Sequence, residues 1–276
     1  MEVLKPSDKE FEDLCELVYS KSGLRFNSKR RDFIENRLAS RLELLGCSTY
    51  AEYLDYLNRD HSEAELKLLL DLLTTNETYF FRDAAQLKTF ETVIQSMIAA
   101  GETQTNRLIR IWSAGCSIGC EPYSLAMILV ELMKNAPGFS FEILGTDISL
   151  SALDVASRGL YLEREVREVP PHMLDRYFTF DGTYYSLSRE VRSLVKFRYL
   201  NLMDKRGMSL QGGYDVIFCR NVLMYFDETS RREVLSRLYD SLRPGGYLFL
   251  GRTEAANQVS RIFKLVRIED DFVYVK

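Results

Sequence analysis

In the run SAGCSIGCEPYSLAM (113–127), Gly115 and Gly119 follow an apolar segment directly, and Glu121 and Pro122 come next. Glycines there let the backbone turn tightly and approach a ligand, while Pro122 suits a first helical turn and Glu121 the cap beside it. The next strand-like segment, 141–146, ends at Asp147, an acceptor-only carboxylate able to bind both hydroxyls of a ribose. A dinucleotide binder would carry GxGxxG, and a P-loop would place Lys after its glycines. Here the spacing is GxxxG and the charge that follows is acidic, which would repel a phosphate and attract a cation. An adenosine with a ribose diol, an ammonium group and no phosphate fits best, so S-adenosylmethionine suits the loop better than NAD or ATP. An ordinary βα turn, with Asp147 capping the following helix, accounts for the same residues, and the loop alone leaves both open.

Such a loop must be carried by a strand and followed by a helix. From Leu108 onward, short runs rich in β-branched and aromatic residues (LIRIW, FEILGT, VKFRYLN, YDVIFC, GYLFLG) mostly alternate with helical spacing. That alternation predicts a doubly wound, Rossmann-like α/β domain with a largely parallel sheet. Residues 8 to 100 read instead as helices. Phe11, Leu14, Leu17 and Val18, then Phe33, Ile34, Leu38, Leu42 and Leu45, recur at helical spacing and are broken at Ser22-Gly23 and Gly46. Further stripes pass through Tyr53, Leu54 and Leu57 and from Leu66 to Leu73. The expected organisation is an all-helical domain over 1–85, a linker helix and junction over 86–106 including the polar stretch GETQTN, and an α/β domain over 107–276. A small β hairpin is expected as an insert near 178–195, turning at Asp181-Gly182, with an ordinary long connection as the alternative. Two apolar runs around Glu269-Asp270-Asp271 predict a terminal hairpin that adds an antiparallel edge to the sheet.

Composition narrows the chemistry. The 276 residues carry 36 basic and 40 acidic side chains, a net charge of −4, which disfavours indiscriminate binding to nucleic acid or anionic lipid. No stretch approaches the ~18 apolar residues of a membrane span, and the first residues form neither a signal nor a transit peptide, so a cytoplasmic protein without direct membrane insertion is expected. Five scattered cysteines fit reduced thiols, and two histidines leave almost no material for a zinc site or a histidine-based triad.

Four stretches occur in order: LTTNETYFFR (73–82), SAGCSIGCEPYSLAM (113–127), GTDIS (145–149) and FCRNVLMYFD (218–227). Together they resemble the CheR family of chemotaxis methyltransferases, and the resemblance extends over nearly the whole chain. It implies a helical receptor-docking domain followed by an S-adenosylmethionine-dependent methyltransferase domain that methylates glutamates of methyl-accepting chemotaxis receptors, with S-adenosylhomocysteine as product. It also implies that Asn76, Thr78 and Arg82 reach across to the cofactor, beside Gly115, Gly119, Glu121 and the ribose-binding Asp147. Asn201 and Leu202 would sit in the adenine region, and Arg220 and Asn221 at the next strand end. Taken singly, Asn76 and Thr78 could cap a helix and Arg220-Asn221 could form a plain strand-end turn; Phe80 and Phe81 read as core.

A glutamate is already ionised at neutral pH, so methyl transfer to its oxygen requires no general base, and the shortage of histidine is no objection. Arg82 offers a planar fork of donors for orienting the substrate carboxylate; Tyr225 offers a hydrogen bond or a pocket wall. Between Lys21 and Gly46, seven basic side chains face three acidic ones. On a helix, Arg30, Arg37 and Arg41 lie away from much of the apolar stripe and, with Arg31, suggest a docking face for an acidic receptor bundle, unless it is simply a solvated face. Some members of the family bind a receptor-tail peptide through the inserted hairpin; the insert here is short with one glycine, and tethering is not expected. Two other functions are compatible with such a cofactor loop. A methyltransferase for nucleic acid or a small molecule would want a wide basic groove or an NPPY-type motif, whereas residues 86–276 hold 24 basic and 23 acidic side chains. A non-catalytic S-adenosylmethionine-binding scaffold is disfavoured by Arg82, Asp147 and Asn221 occurring together.

Overall fold

The structure is a computed structural model that describes residues 4–100, 108–134, 139–254, 262–269 and 271–276. Its first part is a helical domain of α1 (Asp8–Ser22), α2 (Arg31–Leu45), α3 (Tyr50–Arg59) and α4 (Ala64–Leu73). Ser7 and Glu10 form a reciprocal capping box at the start of α1, and Gly23 ends it in the left-handed region. Phe11, Leu14 and Val18 of α1 pack with Ile34, Leu38 and Leu42 of α2, with Tyr50, Tyr53 and Leu57, and with Leu69, Leu70 and Leu73. Those positions are the stripes read from the sequence.

Helix α5 (Ala84–Ala100) falls where a linker was expected, yet it belongs to the sheet. Its Leu87, Phe90, Val93, Ile94 and Met97 are buried in one cluster with Ile109, Ile111, Phe218 and Phe249. An apolar face of that width cannot be left in water. The polar junction at 101–106 lies outside the described residues.

The α/β domain continues through β1 (Leu108–Ala114), α6 (Cys120–Met133), β2 (Ser140–Asp147), α7 (Leu150–Arg158), β3 (Leu160–Tyr161), α8 (Glu163–Val166), α9 (Pro171–Tyr177), β4 (Phe178–Phe180), β5 (Tyr185–Leu187), α10 (Arg189–Arg192), β6 (Val195–Tyr199), α11 (Lys205–Ser209), β7 (Tyr214–Cys219), α12 (Glu228–Ser241), β8 (Leu242–Leu250), β9 (Lys264–Ile268) and β10 (Asp271–Val275). Its main sheet runs β6-β2-β1-β7-β8-β10-β9, parallel from β6 to β8, with β10 antiparallel to β8 and β9 antiparallel to β10. The terminal hairpin is therefore the antiparallel edge, with Asp270 of its turn outside the described residues. Separate apolar clusters cover the two faces, one including α5 and α6 and the other α12 with Trp112, Leu144, Ile217 and Leu248.

The insert is a three-stranded antiparallel sheet, β3-β5-β4, rather than a lone hairpin. Leu160–Tyr161 is the strand missed from sequence, since two residues carry no alternation to read. The turn at Asp181 closes as expected, its carboxylate accepting from the N–H groups of Thr183 and Tyr184 at 2.8 Å each.

Candidate active site

The parallel strands point their carboxyl ends at one edge, where the order reverses between β1 and β7, and the chemistry collects there. After β1, the N–H groups of Gly115 and Cys116 both donate to the Thr146 carbonyl at the end of β2, at 2.8 and 2.9 Å. Gly115 has φ 81°, and a Cβ there would lie 2.3 Å from Cγ2 of Val222, so only glycine fits this turn. Gly119 is the N-cap of α6. The cap expected of Glu121 is thus displaced by two residues, and Glu121 turns its carboxylate elsewhere.

Asp147 is buried and holds the loop by its backbone, accepting from Ser117 N–H at 2.7 Å and Ser149 N–H at 2.9 Å. Burial pushes its carboxyl above the ordinary range, and the bonds from Ser149 and Ser117 oppose that. Ser149, not Asp147, caps α7. Two accepted bonds leave the carboxylate room for further donors.

Across the sheet edge, Arg220 follows β7. Its Nε donates to Glu121 Oε2 at 2.6 Å, and its Nη1 donates to the Arg82 carbonyl at 3.0 Å and Gln86 Oε1 at 3.1 Å. Glu121 also accepts from the Ser113 hydroxyl at 2.7 Å. The acid expected to draw a cation is therefore paired with Arg220, both side chains being largely buried. Asn221 takes φ 59°, and Phe81 and Asp83 on either side of Arg82 take 56° and 64°. Left-handed backbone at non-glycine residues concentrates where the surrounding structure holds it for use.

At this edge lies an open cavity of about 310 Å³ lined by Tyr79, Arg82, Asp83, Gln86, Arg220, Asn221 and Arg252, among others. Arg82 lies beside the Tyr79 ring and donates to the Glu77 carbonyl at 3.3 Å. Asn76 joins the glycine loop to α7: its Nδ2 donates to Ser149 Oγ at 3.1 Å, and its carbonyl accepts from the Ser117 hydroxyl at 3.3 Å. Thr78 is half-buried on the same segment. Phe80 and Phe81 are buried as core, Phe80 edge-on to Tyr161 and Phe178.

Residues 9–74 match the CheR methyltransferase all-alpha domain, and residues 76–272 match the CheR methyltransferase SAM binding domain. The chain belongs to the CheR methyltransferase family. It is 37% identical to chemotaxis protein methyltransferase 2 of Vibrio cholerae, over 98% of this chain and 93% of that one. It is 35% identical to the chemotaxis protein methyltransferases of Salmonella typhimurium and Escherichia coli, over 94% and 96% of this chain and 88% and 90% of theirs. This CheR protein is therefore an S-adenosylmethionine-dependent methyltransferase of chemotaxis.

The donor set fits that cofactor. The loop offers a carboxylate with spare acceptor capacity at Asp147 and no lysine in the run 113–127, matching a diol without phosphate. Asn76, Thr78, Gly115, Gly119 and Asp147 would hold it. Some of the expected residues also have partners within the protein. Asn201 donates from Nδ2 to the Lys21 carbonyl at 2.7 Å and accepts from Met203 N–H at 2.9 Å, so its amide joins the domains, and the neighbouring Leu202 is buried. Glu121 and Arg220 form a buried ion pair, and Arg220 also lines the cavity.

The basic face also divides. Arg31 is tied to Asp8 at 2.6 Å and Glu35 at 3.1 Å, and Arg41 is paired with buried Glu65, whose Oε1 also accepts from the Tyr53 hydroxyl at 2.8 Å. Arg30 and Arg37 remain exposed, both over the ring of Phe33. Helical spacing placed all four on one helix region but could not show which carboxylates from other elements would meet them.

Several residues at the site escaped the sequence. Buried Glu254 accepts from Asn221 N–H at 2.6 Å, Gly251 N–H at 2.9 Å and Met224 N–H at 3.2 Å, clamping the ends of β7 and β8. Its position shortly after a strand end was the only available signal. Asp83 and Arg252 pair across the pocket rim at 2.9 Å, and Gln86 anchors α5 to the Leu250 carbonyl at 2.8 Å. Tyr225 is partly exposed, and its carbonyl accepts from Arg25 N–H of the helical domain at 3.2 Å.

Proposed function

We propose that this enzyme transfers the methyl group to glutamate side chains of methyl-accepting chemotaxis receptors, in the cytoplasm, forming glutamyl methyl esters and S-adenosylhomocysteine. The observation that carries this is the cavity lined by the donors Arg82, Arg220, Asn221 and Arg252, its carboxylate Asp83 paired with Arg252, and by neither of the chain's two histidines. Donors suit a nucleophile that arrives ionised.

The bound cofactor supplies an electrophilic methyl carbon next to a sulfonium. The protein's part is alignment and exclusion of water. Arg82, with its backbone carbonyl held by Arg220, orients the substrate carboxylate, and Tyr225 on the adjoining turn forms a hydrogen bond or the pocket wall. Asn221, whose left-handed backbone is held by the bond from its N–H to Glu254, lines the same cavity. Because Arg220 faces Glu121, its charge does not grip the nucleophile, which preserves the reactivity of the carboxylate oxygen. Docking is by Arg30 and Arg37, the exposed pair on the helical domain, against an acidic helical bundle. Among the described residues no helix is long and apolar enough to cross a membrane.

The test is transfer of labelled methyl from S-adenosylmethionine to membranes containing chemoreceptors, followed by alkali treatment. Alkali-labile label on receptor bands is expected. Cofactor binding without any transfer, or label that resists alkali, overturns the glutamate assignment.

A further inference from the structure

The helical domain meets the start of α7 through Ile148, which packs on its core, and through one carboxylate. Asp71, near the end of α4, accepts from the Ser149 hydroxyl, from the Ser151 hydroxyl at 2.9 Å and from the Ser151 N–H at 3.1 Å. Ser149 is a crossing point. Its hydroxyl donates to Asp71, while its oxygen accepts from Asn76 Nδ2 at 3.1 Å and Ala152 N–H at 3.1 Å. One donor and two acceptor sites are all that a hydroxyl has, so the group is saturated and its rotation fixed. The N–H of the same residue holds Asp147 at 2.9 Å, and Ser117 closes the circuit by donating its N–H to Asp147 and its hydroxyl to the Asn76 carbonyl.

We infer that Asp71 is a positioning residue for cofactor binding, acting through Ser149 on Asp147 and Asn76, so that seating of the helical domain and occupancy of the cofactor site are coupled. This rests on Asp147 being the ribose-binding acid. Removal of Asp71 frees the Ser149 hydroxyl to rotate, which releases Asn76 and loosens the start of α7 beneath Asp147. The coupling is reciprocal: if Asp71 favours the binding-competent loop, bound cofactor favours the seated α4 by the same factor. The domain that carries the exposed docking arginines thus shares an equilibrium with the cofactor loop.

Calorimetry with S-adenosylhomocysteine on the full chain tests this, using Asp71→Ala, Asp71→Asn, Ser149→Ala, the Asp71→Ala/Ser149→Ala double variant and Asp147→Asn. Asp71→Ala is expected to bind about tenfold more weakly, within the usual range of coupling between sites. The double variant should bind no worse than the weaker single one, since both break one network. Asp71→Asn keeps an acceptor and should recover part of the loss; it also serves if the alanine variant fails to fold. Amide exchange in α4 should slow on ligand addition in the unaltered protein and not in Asp71→Ala. Affinity of Asp71→Ala and Asp71→Asn equal to the unaltered protein, with Asp147→Asn weakened, overturns the inference and leaves Asp71 as a cap of α7. Unchanged binding by Asp147→Asn overturns the assignment of Asp147, and the inference falls with it.

Discussion

Glu121 and Arg220 face each other at 2.6 Å with side chains only 11% and 4% exposed, joining the start of α6 to the end of β7 beneath the pocket. Two motifs 99 positions apart in sequence are thereby made into one structural unit. Removing one partner leaves a buried charge without compensation. Arg220→Met is expected to lower unfolding free energy by about 3–5 kcal/mol. Combining it with Glu121→Gln should recover part of that loss, as read from urea midpoints. A single variant with an unchanged midpoint would show that the pair is not structural.

Asp147→Asn should weaken S-adenosylhomocysteine binding by about 1.5–3 kcal/mol, the scale of a lost charged hydrogen bond. The pH dependence has a definite sign. Burial raises the folded carboxyl above its ordinary range, so the native state takes up this proton before the unfolded chain does as pH falls. The group therefore favours the folded state increasingly as pH drops through that window, and its ionisation weakens the fold as pH rises. Binding runs the other way, because protonation removes acceptor capacity. Affinity should begin to fall, on acidification, above the usual aspartate range, and calorimetry on Asp147→Asn should show that this dependence has vanished.

Arg30→Glu with Arg37→Glu should reduce kcat/KM for receptor methylation about tenfold at low salt, with less effect at high salt and no change in cofactor affinity. Arg41→Ala should behave differently, destabilising the helical domain by about 3 kcal/mol because Glu65 is buried and loses its cation. Urea denaturation separates the two. Equal loss of receptor methylation in a stable Arg41→Ala protein would restore Arg41 to the docking face.

Gly115→Ala should cost about 1–3 kcal/mol and weaken cofactor binding, since the new Cβ meets Val222 in a left-handed backbone. Val222→Ala in the same chain should relieve part of the loss. Gly46→Ala is the control: φ is 67° there but nothing lies within 4 Å, and only the conformational cost of ~1–2 kcal/mol is expected.

Periodicity carried the fold far. The stripes through Phe11, Ile34 and Leu69, the β1 to β8 alternation and the terminal hairpin follow from apolar spacing, which directly reflects which face is buried. The glycine loop was legible because φ and close approach restrict residue type at Gly115. What spacing could not show was pairing between distant polar groups. Glu121 offers the same letter whether it attracts a cofactor cation or pairs with Arg220. Nothing near Asn201 in the sequence shows that Lys21 comes beside it from α1. Glu254 and Asp71 were invisible for the same reason: each acts on backbone or hydroxyl groups brought close only by folding.

The pocket's walls are drawn from distant parts of the chain, Tyr79, Arg82 and Gln86 on one side and Arg220, Asn221 and Arg252 on the other. On the ribosome, the early wall is made well before the late one. A nascent chain cannot complete the clamp on Asn221 until β8 and Glu254 have emerged, so the pocket is finished only near the end of translation. The same layout means that a single cut between residues 83 and 220 would divide the walls between two fragments, neither of which contains a whole site.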